Sequence, residues 1–533
     1  MVPGGTPEGG VRAYTRDTLG KRSDGRALTS GAAIVAYLAS LKLLVHLACA
    51  GVYGLFVDEL YFLACGEHLA WGYVDMAPLT ALQAWLARSL FGDSMLAIRL
   101  FPAVAGAGLV LLAGAIARAL GGRRFAQGLT ALAVAVAPGY LAVDSYLSMN
   151  SIEPLLWMGC ALVLIRIIQS DNPKLWLGFG VLAGLGLQNK QTMLMFAFAL
   201  LAGLLLTGAR RRMANRWFLI GGLVAFLIFL PNLIWMIQHG FPHLEQLANI
   251  RRSQRNVSLD PLQFVGQQIL AMQPFALAIW ICGLWSLLVS REGRPYRALG
   301  WAYLLALATL LLTRGRFYYL LPAYPMLFAA GAVAMEKWFE RARWRWVRRA
   351  YVGLVAVTGV LLAPIAMPML PPEIFVRYAE LLGVSQPRLE HRQSSALPQL
   401  FADRFGWPEM VATVAEVYNA LPPEERARTA IYGNSYGEAG AVDFYGPALG
   451  LPKAISGHLT YWYWGPRQYS GEIMIVLGEH RREKLEKYFS SVEAVASVGH
   501  PYAMASQHAQ VYLCRGPKGR TLEQMWPELK NWN

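Results

Sequence analysis

The stretch Phe56–Pro78 reads FVDELYFLACGEHLAWGYVDMAP. It follows directly on an apolar segment of membrane-spanning length, yet it carries Asp58, Glu59, Glu67 and Asp75 among Tyr61, His68, Trp71 and Tyr73. Carboxylates this close to a hydrocarbon core are costly and call for a reason. Two readings compete. Acidic residues at a helix start are favoured by the helix dipole. Alternatively, a carboxylate at the boundary is partly desolvated and made more basic, and can take a proton from a hydroxyl group as it attacks.

Working outward, the 533 residues contain eleven apolar segments, each near the ~20 residues needed to cross a bilayer. They run at about 32–56, 95–119, 124–143, 152–169, 174–188, 191–208, 216–238, 262–290, 298–313, 317–336 and 350–370. With 55% hydrophobic and 15% charged residues, the chain reads as a polytopic helical membrane protein. A net charge of +15 would suggest nucleic acid in a soluble protein. Here the basic residues instead fall on alternate loops. Arg123 with Arg124, Arg166 with Lys174, Arg210–Arg212, Arg291 with Arg294, and the run from Lys337 to Arg349 share a side with the Arg-rich tail 1–30. That side is read as cytoplasmic. Every polar cluster then falls on the outer side, including the loop 57–94, the loop Asp144–Ser151, the turn 188–191, the loop Gln238–Pro261, the turn 313–316 and all that follows residue 370. The first segment reads as a signal anchor, because a polar, Gly-rich tail precedes it. The five cysteines follow no disulfide or zinc spacing.

Beyond a Pro-rich linker at 371–400, residues 401–533 change to a soluble pattern. An amphipathic run at Trp407–Leu421 precedes TAIYG, KAISG, EIMIVLG, SVEAVASVG and AQVYLCRG, which read as short strands of an extracytoplasmic α/β domain. IYGNSYGEAGAVDFYG lacks dinucleotide spacing and reads as strand, turn and helix. His458, Tyr461, Trp462 and Tyr463 concentrate in ISGHLTYWYWG, where aromatic planes suit either a carbohydrate face or docking onto the membrane half. His239, His243 and Glu245 read as headgroup or solvent contacts rather than a metal site.

Phe56–Pro78 with its continuation to Ala107 resembles the first outer loop and second helix of the protein O-mannosyltransferase-like superfamily. That superfamily includes the bacterial lipid A aminoarabinose transferases and related polyprenyl-phosphate-sugar-dependent enzymes of the GT-C fold. The resemblance rests on Asp58-Glu59 with Tyr61, Gly72-Tyr73-Val74-Asp75 before Pro78, Arg99, Lys190, and Arg316-Phe317-Tyr318-Tyr319 running to Pro325, and it covers about residues 30–370. It implies Asp58 at the reaction centre with Glu59 beside it, and Asp75 as the second acidic residue of the loop. Relatives often carry a basic residue and Pro-Pro where this chain has Met76-Ala77-Pro78, so Lys190 and Arg316 become the expected donor-phosphate ligands, with Tyr318 and Tyr319 beside them.

A departing phosphate gains charge that cations in a dry cleft stabilise, which supports those two residues independently. Asp75 and Glu153 are expected on the acceptor side, with a divalent cation an open question. Tyr61, His68, His458 and Trp462 are expected substrate contacts. The implied partners are a polyprenyl-phosphate sugar donor, membrane lipids and a hydroxyl acceptor on a lipid, glycan or protein. The implied setting is the outer face of a bacterial inner membrane. Two rival classes are a lipid-linked glycan transporter, which would place charges near the midplane and interrupt paired helices, and a non-catalytic carrier-lipid-binding assembly partner.

Overall fold

A computed structural model describes residues 29–255, 257–341, 345–383, 395–478 and 481–533. The basic tail through residue 28 and linker residues 384–394 lie outside the described residues. Helices of six residues or more are numbered in chain order. The membrane half comprises α1 (Gly31–Cys49), α2 (Val57–Glu67), α3 (Leu79–Phe91), α4 (Met95–Ala119), α5 (Arg124–Ala135), α6 (Pro138–Val143), α7 (Met149–Ser170), α8 (Leu175–Asn189), α9 (Thr192–Leu205) and α10 (Arg216–Gln238). It continues with α11 (Pro242–Arg252), α12 (Pro261–Ala271), α13 (Leu277–Leu288), α14 (Arg297–Thr313), α15 (Tyr324–Arg341), α16 (Arg345–Ala366) and α17 (Pro372–Leu382). Seven stretches among the described residues are long and apolar enough to span a bilayer alone, and α8 and α9 are shorter apolar helices. Leu219, Leu223, Phe226 and Leu227 on α10 are exposed, as a lipid-facing surface requires.

Three expectations from the sequence are corrected. The first span ends at Cys49 rather than near Val57, so Asp58 and Glu59 occupy the first turn of a separate helix. The segment 262–290 is not one helix, because α12 and the stretch Pro274–Leu288 meet at 101°. Pro274 disfavours helical backbone at the preceding residue, and Gln273 adopts φ 74°. Its side chain repairs the break: Nε2 donates to Val355 O at 3.1 Å and Oε1 accepts from Ala276 N at 2.7 Å. Finally, Asp144 does not project outward with its loop. It pairs at 2.8 Å with Lys42, and both side chains are almost fully buried. Lys42 lies about 10 Å below the end of α1, at 1.5 Å rise per residue.

Helix packing in the membrane half uses small residues, as expected where lipid supplies no hydrophobic drive. At Gly331 a Cβ would strike the Ile279 carbonyl and at Gly283 that of Leu327, so α13 and α15 meet backbone to backbone. Buried Glu336 on α15 accepts from the amides of Arg123, Phe125 and Ala126, which satisfies orphan donors at the start of α5.

The C-terminal region holds a four-stranded sheet of order β1-β2-β4-β3, with β1 Thr429–Gly433, β2 Ile473–Leu477, β3 Phe489–Val498 and β4 Ala509–Pro517. β1 and β2 are parallel, and the other pairs are antiparallel. Helices α18 (Trp407–Asn419) and α19 (Tyr436–Tyr445) accompany it. KAISG, expected as a strand, contributes only the bridge between Ile455 and Tyr432. One hydrophobic cluster joins Leu60, Tyr61 and Phe62 of α2 to Trp407, Tyr436 and Ile475. The first outer loop and the sheet region therefore share a core, and the loop does not hang free.

Candidate active site

Glu59 and Asp58 are adjacent in sequence and held very differently. The Glu59 carboxylate is wholly buried and accepts four donors. Arg99 Nη2 and Nε reach it at 2.7 and 3.1 Å, and the amides of Phe56 and Leu147 each at 2.9 Å. The Arg99 charge and these donors hold its pKa below the usual range, against the opposing effect of burial. Arg99 also donates to the carbonyls of Ala50, Tyr53 and Gly54, gathering the non-helical turn after α1. Asp58, half-buried one residue earlier, accepts from the Tyr436 hydroxyl at 2.7 Å.

Asp75 is partly buried and accepts from the Tyr61 hydroxyl at 2.8 Å. With that proton committed, Thr460 Oγ1, 2.6 Å away, donates to the Tyr61 oxygen and accepts from the Val74 amide at 3.1 Å. Burial pushes the Asp75 carboxyl up to about 7; the Asp58 charge pushes the same way, and the Tyr61 donor opposes it. Met76, the point of departure from relatives, is buried, and its carbonyl accepts from the Tyr73 amide at 3.2 Å, which closes a tight turn.

The second cluster forms around Lys190, in the break between α8 and α9. Its Nζ donates to Glu153 Oε2 and Asn150 Oδ1, both at 2.8 Å, and lies 4.3 Å from the centre of the Tyr319 ring. Thr192 donates to the other Glu153 oxygen. Glu153 and Lys190, expected on opposite sides of the site, are therefore direct partners. Arg316 Nη1 donates to the Tyr318 hydroxyl at 3.0 Å, and the Tyr318 and Tyr319 rings meet edge to face at 4.9 Å.

Leu147 donates to Glu59 while Asn150 and Glu153 hold Lys190, so one short segment links the two groups, and it opens on Tyr146. Burial raises its hydroxyl pKa, with Asp58 and Tyr318 both adding to the rise. Its ring packs on Phe56 at 5.0 Å.

The remaining expected contacts sit further out. His68 stacks on Trp464 at 4.4 Å, and burial followed by Arg467 lowers its pKa. Trp462 exchanges indole-to-carbonyl hydrogen bonds with Trp526. His458 Nδ1 accepts from the Tyr436 amide at 3.2 Å. Sequence reasoning missed Tyr436, Thr460, Tyr146 and Arg404. Fully buried Arg404 donates to Ser145 Oγ at 3.1 Å and lies under the Tyr146 ring, while burial and the neighbouring Arg99 both oppose its charge. Among the described residues, no three of His, Cys, Asp and Glu converge as a metal-ligand set.

Residues 75–235 match the family model described as dolichyl-phosphate-mannose-protein mannosyltransferase. The match takes in Asp75, Glu153 and Lys190 and stops short of Asp58 and Arg316. No curated protein matches the chain. Among solved structures, ArnT from Cupriavidus metallidurans bound to undecaprenyl phosphate aligns with TM-score 0.58 at 15% identity, over 91% of this chain and 99% of that one. Its apo state aligns with the same score and coverage at 16% identity. An oligosaccharyltransferase from Archaeoglobus fulgidus aligns at TM-score 0.45 and 13% identity, over 78% of this chain and 61% of that one. Coverage of 91% exceeds what the membrane half alone supplies, so the C-terminal sheet region shares in the ArnT likeness. The chain is thus a multi-pass membrane protein with the GT-C fold seen in ArnT, and its resemblance to the protein O-mannosyltransferase-like superfamily of GT-C glycosyltransferases stands.

Proposed function

We propose that this chain is an inverting glycosyltransferase that moves a sugar from a polyprenyl-phosphate carrier to a hydroxyl acceptor on the outer face of a bacterial inner membrane. The observation that carries the reading is the segment 146–153, in which Tyr146 packs on Phe56 and Leu147 donates to Glu59 beside Asp58, while Asn150 and Glu153 hold Lys190. One short segment thus joins the carboxylate loop to the cation–aromatic cluster, the two halves that such a transfer needs. The acceptor oxygen attacks the anomeric carbon, its proton passes to Asp58, and the bond to phosphate oxygen breaks, leaving polyprenyl phosphate.

Lys190 serves the departing phosphate. Two of its three N–H groups point at Asn150 and Glu153, and Glu153 holds it on the Tyr319 face until the phosphate arrives. Arg316 joins it from the facing turn. Undecaprenyl phosphate, the molecule bound in the ArnT structure, supports the choice of carrier class. Asp75 orients the acceptor. A hard divalent cation, if the reaction uses one, would meet Asp58 and Asp75, the pair of loop carboxylates close enough to influence each other. Glu59 keeps a positioning role, because its four donors already occupy it.

The broken span at Gln273 and the buried Lys42–Asp144 pair are features a carrier-lipid transporter would also own. Release of labelled sugar from its polyprenyl-phosphate donor by the detergent-solubilised protein separates the two readings, since a transporter leaves the donor intact. Full turnover by Asp58→Asn would remove Asp58 as the base.

A further inference from the structure

We propose that the C-terminal domain completes the reaction centre, with Tyr436 as a positioning residue that fixes the Asp58 carboxylate. This rests on the glycosyltransferase reading above. The strand–turn–helix IYGNSYGEAG, which that reading leaves without a task, is the mount. Ser435 caps α19, and the reciprocal Glu438 Oε2 accepts the Ser435 amide at 2.8 Å, so the first turn is rigid. Tyr436 stands in that turn. Its own amide, an orphan donor at a helix start, is taken by His458 Nδ1, so the His458 proton sits on Nε2, which reaches Asn533 O at 3.1 Å. The Tyr436 ring lies between Tyr61 at 4.9 Å and His458 at 4.8 Å, and its hydroxyl is thereby aimed at Asp58 Oδ1.

The helix comes close enough because two of its residues lack side chains. A Cβ on Gly437 would lie 2.5 Å from Val57 Cγ2, and one on Gly440 3.0 Å from the Leu60 carbonyl. Both contacts are with α2, the helix that carries Asp58. Two residues beyond His458, Thr460 holds Tyr61 and, through it, Asp75. The segment 456–460 thus braces both loop carboxylates, one through Tyr436 and the other through Tyr61. A hydrogen bond to a charged group that both locks its plane and stabilises its ionised form changes rate and acidity together.

The test uses the full chain in detergent with an undecaprenyl-phosphate-linked, radiolabelled hexose, and follows both label release and undecaprenyl phosphate binding. Tyr436→Phe should lower kcat about tenfold with KM for the lipid donor within about twofold, and should move the acidic limb of the pH–rate profile to higher pH. Its melting temperature should match wild type. Wild-type kinetics in Tyr436→Phe would overturn the assignment, as would a kcat loss with no movement of the acidic limb. Failure of the wild-type chain to release label, while still binding undecaprenyl phosphate, would instead count against the glycosyltransferase reading.

Discussion

The Glu59–Arg99 knot and the Asp58–Asp75 rim are built from the same few residues of sequence and behave oppositely. The knot is closed: four donors on one carboxylate, with an arginine spent on three backbone carbonyls besides. At the rim each carboxylate is oriented by a tyrosine hydroxyl, and the Asp58 charge helps to raise Asp75. Burial and full satisfaction make a carboxylate structural. Partial burial beside a tyrosine hydroxyl, with a second carboxylate close by, is the setting in which perturbed, functional carboxylates are found.

The contrast can be broken from either side. The largest effect should come from Asp58→Asn, which removes the proposed proton acceptor and is expected to cost 10²–10⁴-fold in transfer rate with an unchanged melting temperature. Loss of stability comparable to loss of rate would place Asp58 with the knot instead. Arg99→Met strands the Glu59 charge in the interior, and about 3–5 kcal/mol of stability should go with it, read as a lower midpoint of unfolding in mild detergent. Adding Glu59→Gln to Arg99→Met should return part of that loss. Lys190→Met is expected to weaken undecaprenyl phosphate binding about tenfold, the loss of one charge-assisted contact.

Asp75 gives a pH signature. Its pKa is raised in the fold, so the stability it contributes is present below about 4, its unfolded value, and disappears as pH climbs through about 7. The Asp75→Asn variant should therefore gain melting temperature relative to wild type between pH 5 and pH 8, and parallel curves would contradict that. Least affected should be His68→Ala, at the periphery on Trp464, with transfer within about twofold of wild type and stability within ~0.5 kcal/mol.

Much of the fold could be read from residues, because hydropathy reports length and period directly. Each apolar stretch contains helix, and TAIYG, EIMIVLG and AQVYLCRG contain strands. The grouping of Lys190 with Tyr318 and Tyr319 was also legible, since a lysine in an apolar turn and tyrosines in an apolar segment are each unusual. The partners were not. Tyr436 lies 378 residues from Asp58, and nothing in local spacing pairs a tyrosine in a glycine-rich turn with a distant carboxylate. The partner of Glu153 was out of reach for the same reason, as Lys190 belongs to another helix break. Two signals were available and went unused. Pro274 marked the break in segment 262–290, and Lys42 stood as an ionisable residue inside an apolar segment.

The Lys42–Asp144 pair sets an order of events during synthesis. When α1 reaches the bilayer it carries an unmatched ammonium, worth about 2.5–3.5 kcal/mol against insertion at a helix centre. The carboxylate that neutralises it is translated roughly a hundred residues later, several seconds at ordinary elongation rates. Until then α1 is best accommodated shallowly, with Lys42 reaching toward headgroups. Asp144 begins the turn that leads to Tyr146, so the residue that neutralises Lys42 lies two positions from one that packs on the acidic loop.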